Sequence, residues 1–290
     1  MIATKTKYPK NVTRRGNSTA AEEQLLVGDV PSPPGTGIYG PAEIEFWTGA
    51  APFRHASGIW GRTALLDYLA RQIESGDTVV DLGCGGGYVT TKLCKFVGAR
   101  GRVLGLDSSA PLIAEATHLE KRVSKLSFSL ADVTGKLPLS NESVDLFVSF
   151  MLLQNLQNAE IERMSEEIDR CLRFGGKAAH LTLHPNFFEE DWLLEFVDYD
   201  RAKIKAWRQY RDGSVRIDGK AQEYTGASKP VFAYPRTAET VVRALTRPGT
   251  RIAEDRPIYI DRATAEAKFG KNKDRIYPKG PLFWIVVTEK

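Results

Sequence analysis

VVDLGCGGG, residues 79–87, is the stretch of sequence that decides the fold of this chain. Its first four residues predict a buried β-strand that contains one acid, and its last five predict a glycine-rich turn. Glycine lacks a Cβ and readily adopts positive φ, so such a turn lets a ligand approach the backbone closely. Because every glycine adds conformational entropy to the unfolded chain, four of them in five positions indicate a ligand more than a plain turn.

The spacing of the glycines separates one class of cofactor from another. A dinucleotide-binding turn requires Gly-x-Gly-x-x-Gly, and its third glycine would stand where this chain has Tyr88. The spacing present is Asp-x-Gly-x-Gly-x-Gly, formed by Asp81, Gly83, Gly85 and Gly87. That pattern resembles the first motif of the class I methyltransferases that depend on S-adenosylmethionine (SAM).

Further segments follow in the order that this family has. They are a helix over about 88–96, a second strand over 102–107, a third strand followed by Ala131-Asp132-Val133, a buried strand over 143–150, and a Gly175-Gly176 turn that leads into a fifth strand. The resemblance covers roughly residues 60–185, and it returns more weakly at the C-terminus. It implies SAM as the cofactor and S-adenosyl-L-homocysteine as the product.

An acidic residue at the end of the second strand is the expected ribose ligand. Asp107 lies 20 positions beyond Gly87 (107 − 87), and a carboxylate there can accept both ribose hydroxyls of a nucleoside. The alternative is that Asp107 caps the next helix, since Ser108 and Ser109 precede Ala110 and short polar residues are good caps.

The resemblance extends the cofactor site to other positions. Asp132 belongs to a segment similar to the family's adenine-contacting loop, although a loop aspartate also often faces solvent. Asp145, at the start of the fourth strand, is interpreted as structural. The full predicted set of cofactor-binding residues is Tyr39, Asp81, Gly83, Gly85, Gly87, Asp107, Ser108, Asp132, Val133 and Phe150. Tyr39, Trp47 or Tyr88 could also present an aromatic face to the sulfonium.

Strands that alternate with helices predict an α/β fold with a doubly wound, mostly parallel sheet. The family resemblance implies seven strands, with the seventh inserted antiparallel. Outside the motifs, the pattern predicts a helix over 61–74, a helix over 187–210, a last helix over 237–245, an edge strand over 251–260 and a terminal strand over 281–288. Ligands are expected at the carboxyl ends of the strands.

Composition divides the chain into five parts. We expect a flexible basic tail and linker over 1–36, an aromatic-rich N-terminal cap over 37–60, a SAM-binding core over 61–185, a lid or acceptor-binding insertion after strand 5 over 186–235, and a C-terminal part of the SAM-binding fold over 236–290. The aromatic side chains of the two flanks are interpreted as a lid over the acceptor, with ordinary core as the alternative.

Methyl transfer from a sulfonium mainly requires positioning, exclusion of water and, for some acceptors, removal of a proton. His184 directly follows the fifth strand and is the first candidate for a base or for a group that orients the acceptor, and His55 is the second. A structural or surface role is the alternative for both. His180 is expected in the core and His118 in solvent.

The segment after the fourth strand bears on the acceptor. Many small-molecule relatives carry Leu-His-His there, whereas this chain has Gln154 and Asn155, whose amides can orient a substrate but cannot take its proton. Together with Trp47 they form the predicted substrate-binding set. The motifs typical of DNA methyltransferases, Asn-Pro-Pro-Tyr or Pro-Cys, do not appear, so nucleic acid is a less favoured acceptor than a small molecule.

The composition limits the classes of protein to which this chain can belong. The 290 residues are 42% hydrophobic and 26% charged, as in a globular protein, and no apolar run approaches the roughly 20 residues that cross a bilayer. The net charge of +4 neither demands nor excludes a polyanionic partner. The three cysteines do not have the residue spacing of a metal site, so they predict neither a metal site nor disulfides. This pattern fits a reducing cytoplasm. The basic N-terminus predicts a disordered arm, with a transit segment as the alternative.

The predicted function is methyl transfer from SAM to O or N of a small molecule, for example a specialised metabolite. One alternative is an RNA or protein methyltransferase whose basic arm contacts phosphate. Another is a SAM-binding regulatory protein without transfer activity. The oligomeric state is open, and a homodimer is one option.

Overall fold

The computed structural model describes residues 59–120, 123–189, 197–210, 215–222, 228–259 and 280–290. The predicted tail and nearly all of the predicted N-terminal cap lie outside these residues. Three predicted site residues, Tyr39, Trp47 and His55, therefore lie outside the described part of the chain.

Within these described ranges, ten strands form two sheets. The strands are β1 Thr78–Leu82, β2 Arg102–Asp107, β3 Leu126–Leu130, β4 Val144–Phe150, β5 Leu172–Leu183, β6 Val197–Tyr199, β7 Ile217–Gln222, β8 Ser228–Ala233, β9 Arg251–Ile258 and β10 Phe283–Glu289. The central sheet has seven strands in the order β3-β2-β1-β4-β5-β10-β9. Strands β1 to β5 run parallel, and β10 runs antiparallel to both of its neighbours. The predicted mostly parallel, seven-stranded α/β fold with an antiparallel last strand is confirmed.

Helices cover both faces of the central sheet. They are α1 Ile59–Leu69, α2 Tyr88–Leu93, α3 Ala110–Glu120, α4 Asn158–Cys171, α5 Arg201–Tyr210 and α6 Ala238–Leu245. Successive residues of a strand point to opposite faces. Val79 accordingly packs with Leu69 of α1 on one face. Val80 packs with Met164 of α4 on the other. The sheet is therefore doubly wound, as predicted.

Several boundaries differ from the sequence-based expectation. Helix α1 ends at Leu69, five residues before the predicted end, and α2 ends at Leu93. The Gly175-Gly176 pair does not precede β5 but lies within it. Val144 pairs with Leu172 and Leu146 pairs with Lys177, so the four residues 173–176 bulge opposite a single residue of β4. Gly175 permits this bulge through its left-handed backbone, with φ of 77°.

A second, antiparallel sheet of three strands in the order β6-β7-β8 lies in the chain between β5 and α6. The helix predicted over 187–210 is wrong for 197–199, which form β6, whereas α5 confirms its last ten residues. The polar stretch 213–230 contains β7 and the first three residues of β8. Buried Ile217 and exposed Asp218 alternate along β7, which is the pattern of a strand with one face covered.

All three cysteines, Cys84, Cys94 and Cys171, are buried free thiols. Among the described residues, none of the helices combines the length and the apolar character that a membrane span requires.

Candidate active site

The glycine turn after β1 is left-handed at each glycine of the motif. The φ angles of Gly83, Gly85 and Gly87 are 69°, 53° and 79°. A Cβ on Gly83 would lie 2.9 Å from Leu152 Cδ1, and one on Gly87 would lie 2.5 Å from Phe128 Cζ. A Cβ on Gly85 would meet no atom closer than 3.9 Å. Packing thus requires two of the glycines, and the third leaves open space on one side of the turn.

The carboxylate of Asp107, the last residue of β2, is held beside this turn. The backbone N–H of Gly85 donates to Oδ2 at 2.8 Å, and the backbone N–H of Ser109 donates to Oδ1 at 2.9 Å. The second contact is the helix-start interaction given above as the alternative, so Asp107 organises both the turn and the approach to α3.

Asp81 is buried at 1% exposure beneath the same turn. Thr90 Oγ1 of α2 donates to its Oδ2 at 2.7 Å. Burial raises the pKa of Asp81 to about 7, the hydrogen bond from Thr90 opposes the rise, and the negative charge of Asp107 adds to it. A cationic ligand near these two carboxylates would relieve that repulsion.

Asp132 and Val133 follow β3 at the same edge of the sheet. The backbone N–H and the hydroxyl of Thr134 donate to Asp132 Oδ1 at 2.9 Å and 2.8 Å, so this side chain is half-buried and structured rather than simply solvated. Val133 is buried, and Phe150 is half-buried at the end of β4. Because β1 to β4 are parallel and in register, their carboxyl ends bring these residues to one edge.

The loop after β4 contains Gln154 and Asn155, and the amides of both residues form hydrogen bonds within the protein. Gln154 and Asn155 are 8% and 9% exposed. Gln154 Nε2 and Asn155 Nδ2 both donate to the carbonyl of Met151, at 2.5 Å and 3.0 Å. Gln154 Oε1 also accepts from Thr182 Oγ1 at 3.1 Å. These hydrogen bonds do not support the predicted substrate contact, because both amides bond to groups of the protein.

His184 follows β5 directly, where the sequence placed it, but its tautomer does not suit a base. Its Nδ1 accepts from the backbone N–H of Asn186 at 3.1 Å, so the neutral ring carries its proton on Nε2. Burial lowers the pKa of His184 below its ordinary value, and the charge of Asp255 opposes this. Trp284, whose ring centroid lies 5.8 Å away, packs edge-on against the imidazole. The ring is therefore built to donate from Nε2 and not to accept a proton there.

The other two described histidines match their predictions. His180 is buried in β5, with its Nδ1 2.8 Å from Ser149 Oγ, and burial lowers its pKa to about 4. His118 is exposed on α3. Asp145 also has the predicted structural role, since it accepts from the backbone N–H of Thr78 at 2.9 Å and from Arg173 Nη1 at 2.7 Å.

Sequence reasoning missed Arg236, which is only 5% exposed. Its Nη1 donates to the carbonyls of Leu153 at 3.0 Å and Tyr234 at 2.8 Å, and its Nε donates to Asn158 Oδ1 at 2.5 Å. Arg236 therefore joins the end of β8 to the loop after β4. No local pattern distinguishes it from a surface arginine before a helix.

Comparisons with known proteins agree with this geometry. Residues 79–176 match the family model described as a methyltransferase domain. The chain is 33% identical over 135 residues to the 2-phytyl-1,4-naphtoquinone methyltransferase of Trichormus variabilis, which covers 43% of this chain and 56% of that protein. It is 34% identical over 102 residues to the phosphoethanolamine N-methyltransferase of Triticum aestivum, over 35% of this chain and 20% of that protein.

A solved structure shows the same fold. The S-adenosylmethionine dependent methyltransferase from Mesorhizobium loti superposes with a TM-score of 0.54 at 21% identity, covering 78% of this chain and all of that one. The chain spans at most about half the length of the two curated relatives named above. Residues 79–176 therefore form a methyltransferase domain, and the sheet that contains them has the fold of an S-adenosylmethionine-dependent methyltransferase of known structure.

Proposed function

We propose that the protein transfers the methyl group of SAM to an oxygen or nitrogen of a small molecule and releases S-adenosyl-L-homocysteine. One observation carries the proposal. The Asp107 carboxylate is held by the Gly85 and Ser109 amides beside a left-handed glycine turn, at the carboxyl edge of a doubly wound sheet. A carboxylate in that place suits two adjacent ribose hydroxyls.

The residues present fit the shape and charge of SAM. Open space beside Gly85 admits the amino-acid half of the cofactor close to the backbone. SAM carries a sulfonium and an ammonium, and the pair Asp81 and Asp107 supplies negative charge beside the turn. By the family resemblance, Asp132 and Val133 would lie by the adenine. Bound SAM would supply an already activated methyl group whose leaving group is a neutral thioether.

The protein's own contribution is then to orient the acceptor and to exclude water. His184 follows β5 directly, at the edge where the acceptor would lie, and its Nε2–H would donate to an acceptor oxygen. Once an acceptor is known, His184→Gln should retain more activity than His184→Phe, because the glutamine amide keeps a donor. Both variants should bind SAM like the wild type. Equal losses in the two variants would contradict an orienting hydrogen bond.

A small-molecule acceptor is supported by the names of the curated relatives, which act on a naphthoquinone and on phosphoethanolamine. The loop after β4 also lacks the motifs typical of enzymes that methylate DNA bases. The predicted lid role of residues 186–235 remains part of this proposal.

Two measurements test the proposed function. The first is titration calorimetry of the whole chain with SAM and with S-adenosyl-L-homocysteine, where we expect one site per chain. Failure of both to bind would overturn the proposal. The second is incubation with methyl-labelled SAM and separated cell fractions. Label in small molecules supports the proposal, label in RNA or protein overturns the acceptor class, and binding without any transfer overturns the activity.

A further inference from the structure

Met151, the first residue after β4, has a left-handed backbone with φ of 56°. In the described part of the chain it shares positive φ with only one other residue that is not glycine, Glu142. A residue with a Cβ is disfavoured in this region, so it persists only where its surroundings hold it. The edge of the sheet at which Met151 lies is the edge of the candidate cofactor site.

Three neighbours hold Met151 in that conformation. Its N–H donates to the carbonyl of Leu181 at 2.8 Å. Its carbonyl accepts from Gln154 Nε2 and Asn155 Nδ2, and Gln154 is itself oriented by the hydroxyl of Thr182. Since these groups are buried, the hydrogen bonds are protected from competition with water.

The left-handed turn determines where the next residue packs. Leu152 lies against Gly83, so closely that a Cβ on Gly83 would be 2.9 Å from its Cδ1. Gly83 is the first glycine of the turn that is proposed to receive SAM. A chain of direct contacts therefore runs from the two amides through Met151 and Leu152 to the cofactor turn.

The same loop is attached to the second sheet. The N–H of Tyr234, one residue beyond β8, donates to the carbonyl of Gln154 at 2.7 Å, and Arg236 bonds to the carbonyl of Leu153. The backbone of the loop is thus anchored from outside, while its conformation at Met151 depends on the side chains of Gln154 and Asn155.

We propose that Gln154 and Asn155 are positioning residues for the cofactor, which hold Met151 left-handed so that Leu152 supports Gly83 in the shape that binds SAM. This inference rests on the proposed function, because it assumes that SAM occupies the glycine turn. It replaces the direct substrate contact that the sequence suggested for these two residues.

Calorimetry with SAM tests the proposal on the whole chain. Gln154→Met keeps the volume of the side chain but loses both hydrogen bonds, and we expect the Kd for SAM to rise about tenfold, or about 1.4 kcal/mol. The matched control is Gln72→Met, which loses the hydrogen bond from Lys177 Nζ (3.0 Å) before β1, away from the loop. The control should bind SAM within about twofold of the wild type.

A rescue distinguishes a role through Met151 from a general loss of stability. Glycine adopts positive φ without strain, so Met151→Gly should make the turn independent of the amides. In that background Gln154→Met should change the Kd less than about threefold. An equal tenfold loss in both backgrounds would overturn the inference.

Asn155→Asp is the second variant, and it tests the positioning role if Gln154→Met does not fold. It removes one donor to the Met151 carbonyl with little change in shape, and we expect about threefold weaker SAM binding. Wild-type affinity in every folded variant of these two residues would overturn the positioning role alone. Absence of SAM binding by the wild type would instead overturn the proposed function.

Discussion

Strands β1 to β5 of the central sheet and the second sheet formed by β6 to β8 differ in how far the local sequence determines them. Strands β1 and β2 are mainly apolar runs that end near a glycine or an acid, and β4 is a mainly apolar run of seven residues. Their bounds follow from the sequence to within about two residues. The sequence pattern does not predict the second sheet, and it predicts a helix where β6 forms.

The reason lies in contacts between residues that are distant in sequence. Gly219 of β7 pairs with Tyr199 of β6, and a Cβ on Gly219 would lie 2.6 Å from the tyrosine Cδ1. Trp207 of α5 is 1% exposed and belongs to the same hydrophobic cluster as Leu181 of β5. Tyr199 of β6, Ile217 of β7 and Ala233 of β8 are buried in that same cluster, so these short polar strands depend on burial that exists only in the folded chain.

The largest effect is expected for Gly87→Ala, which adds a methyl group to the glycine turn after β1. Gly87→Ala places a Cβ against Phe128 at a position whose φ is 79°, so overpacking and backbone strain add. We expect a loss of about 2–5 kcal/mol in the free energy of unfolding, together with loss of SAM binding. Urea unfolding and calorimetry measure the two effects. Gly85→Ala, which has space for the Cβ, should lose only about 1–2 kcal/mol of stability.

The same substitution in the second sheet should act locally. Gly219→Ala also overpacks, against Tyr199, and about 1–3 kcal/mol of local stability should be lost. Hydrogen exchange should rise in β6 and β7 but not in β1 and β2, and the Kd for SAM should stay within about threefold. A loss of SAM affinity as large as that of Gly87→Ala would contradict the separation of the two regions.

Removal of the proposed ribose ligand should affect binding more than folding. Asp107→Ala should weaken SAM binding by about 1–3 kcal/mol, since the hydroxyls would lose a charged acceptor. Titration calorimetry measures the change. Asp67→Ala on the exposed face of α1 is the control and should bind normally. Unchanged affinity in Asp107→Ala would remove the ribose assignment and with it the main support for the proposed function.

The smallest effect concerns the dependence of stability on pH. Burial raises the pKa of Asp81 to about 7, so this group stabilises the fold in its neutral form at low pH, and that contribution is lost as the pH rises towards 7. Asp81→Asn removes the charge. Its stability relative to the wild type should increase by about 1–2 kcal/mol from pH 5 to pH 6.5, measured by urea unfolding. A constant difference, like that expected for Asp67→Asn, would show that Asp81 is not so perturbed.

For the site, as for the fold, local sequence features are predictable and contacts between distant residues are not. Asp107 was placed at the right point, because a strand end and a glycine spacing are local features. The sequence predicts His184 directly after β5, but the choice between a base and an orienting group depends on the tautomer, which the backbone N–H of Asn186 selects. Gln154 and Asn155 were found by their position after β4, but the direction of their amides depends on Met151 and Thr182.

The sequence alone determined the methyltransferase domain, the parallel sheet and the glycine turn, because continuous apolar runs and positive φ are properties of short segments. Only the tertiary structure decided the second sheet, the inward direction of the loop amides and the role of Arg236. Each of these depends on a partner that is remote along the chain, and the burial that makes its hydrogen bonds valuable exists only after folding.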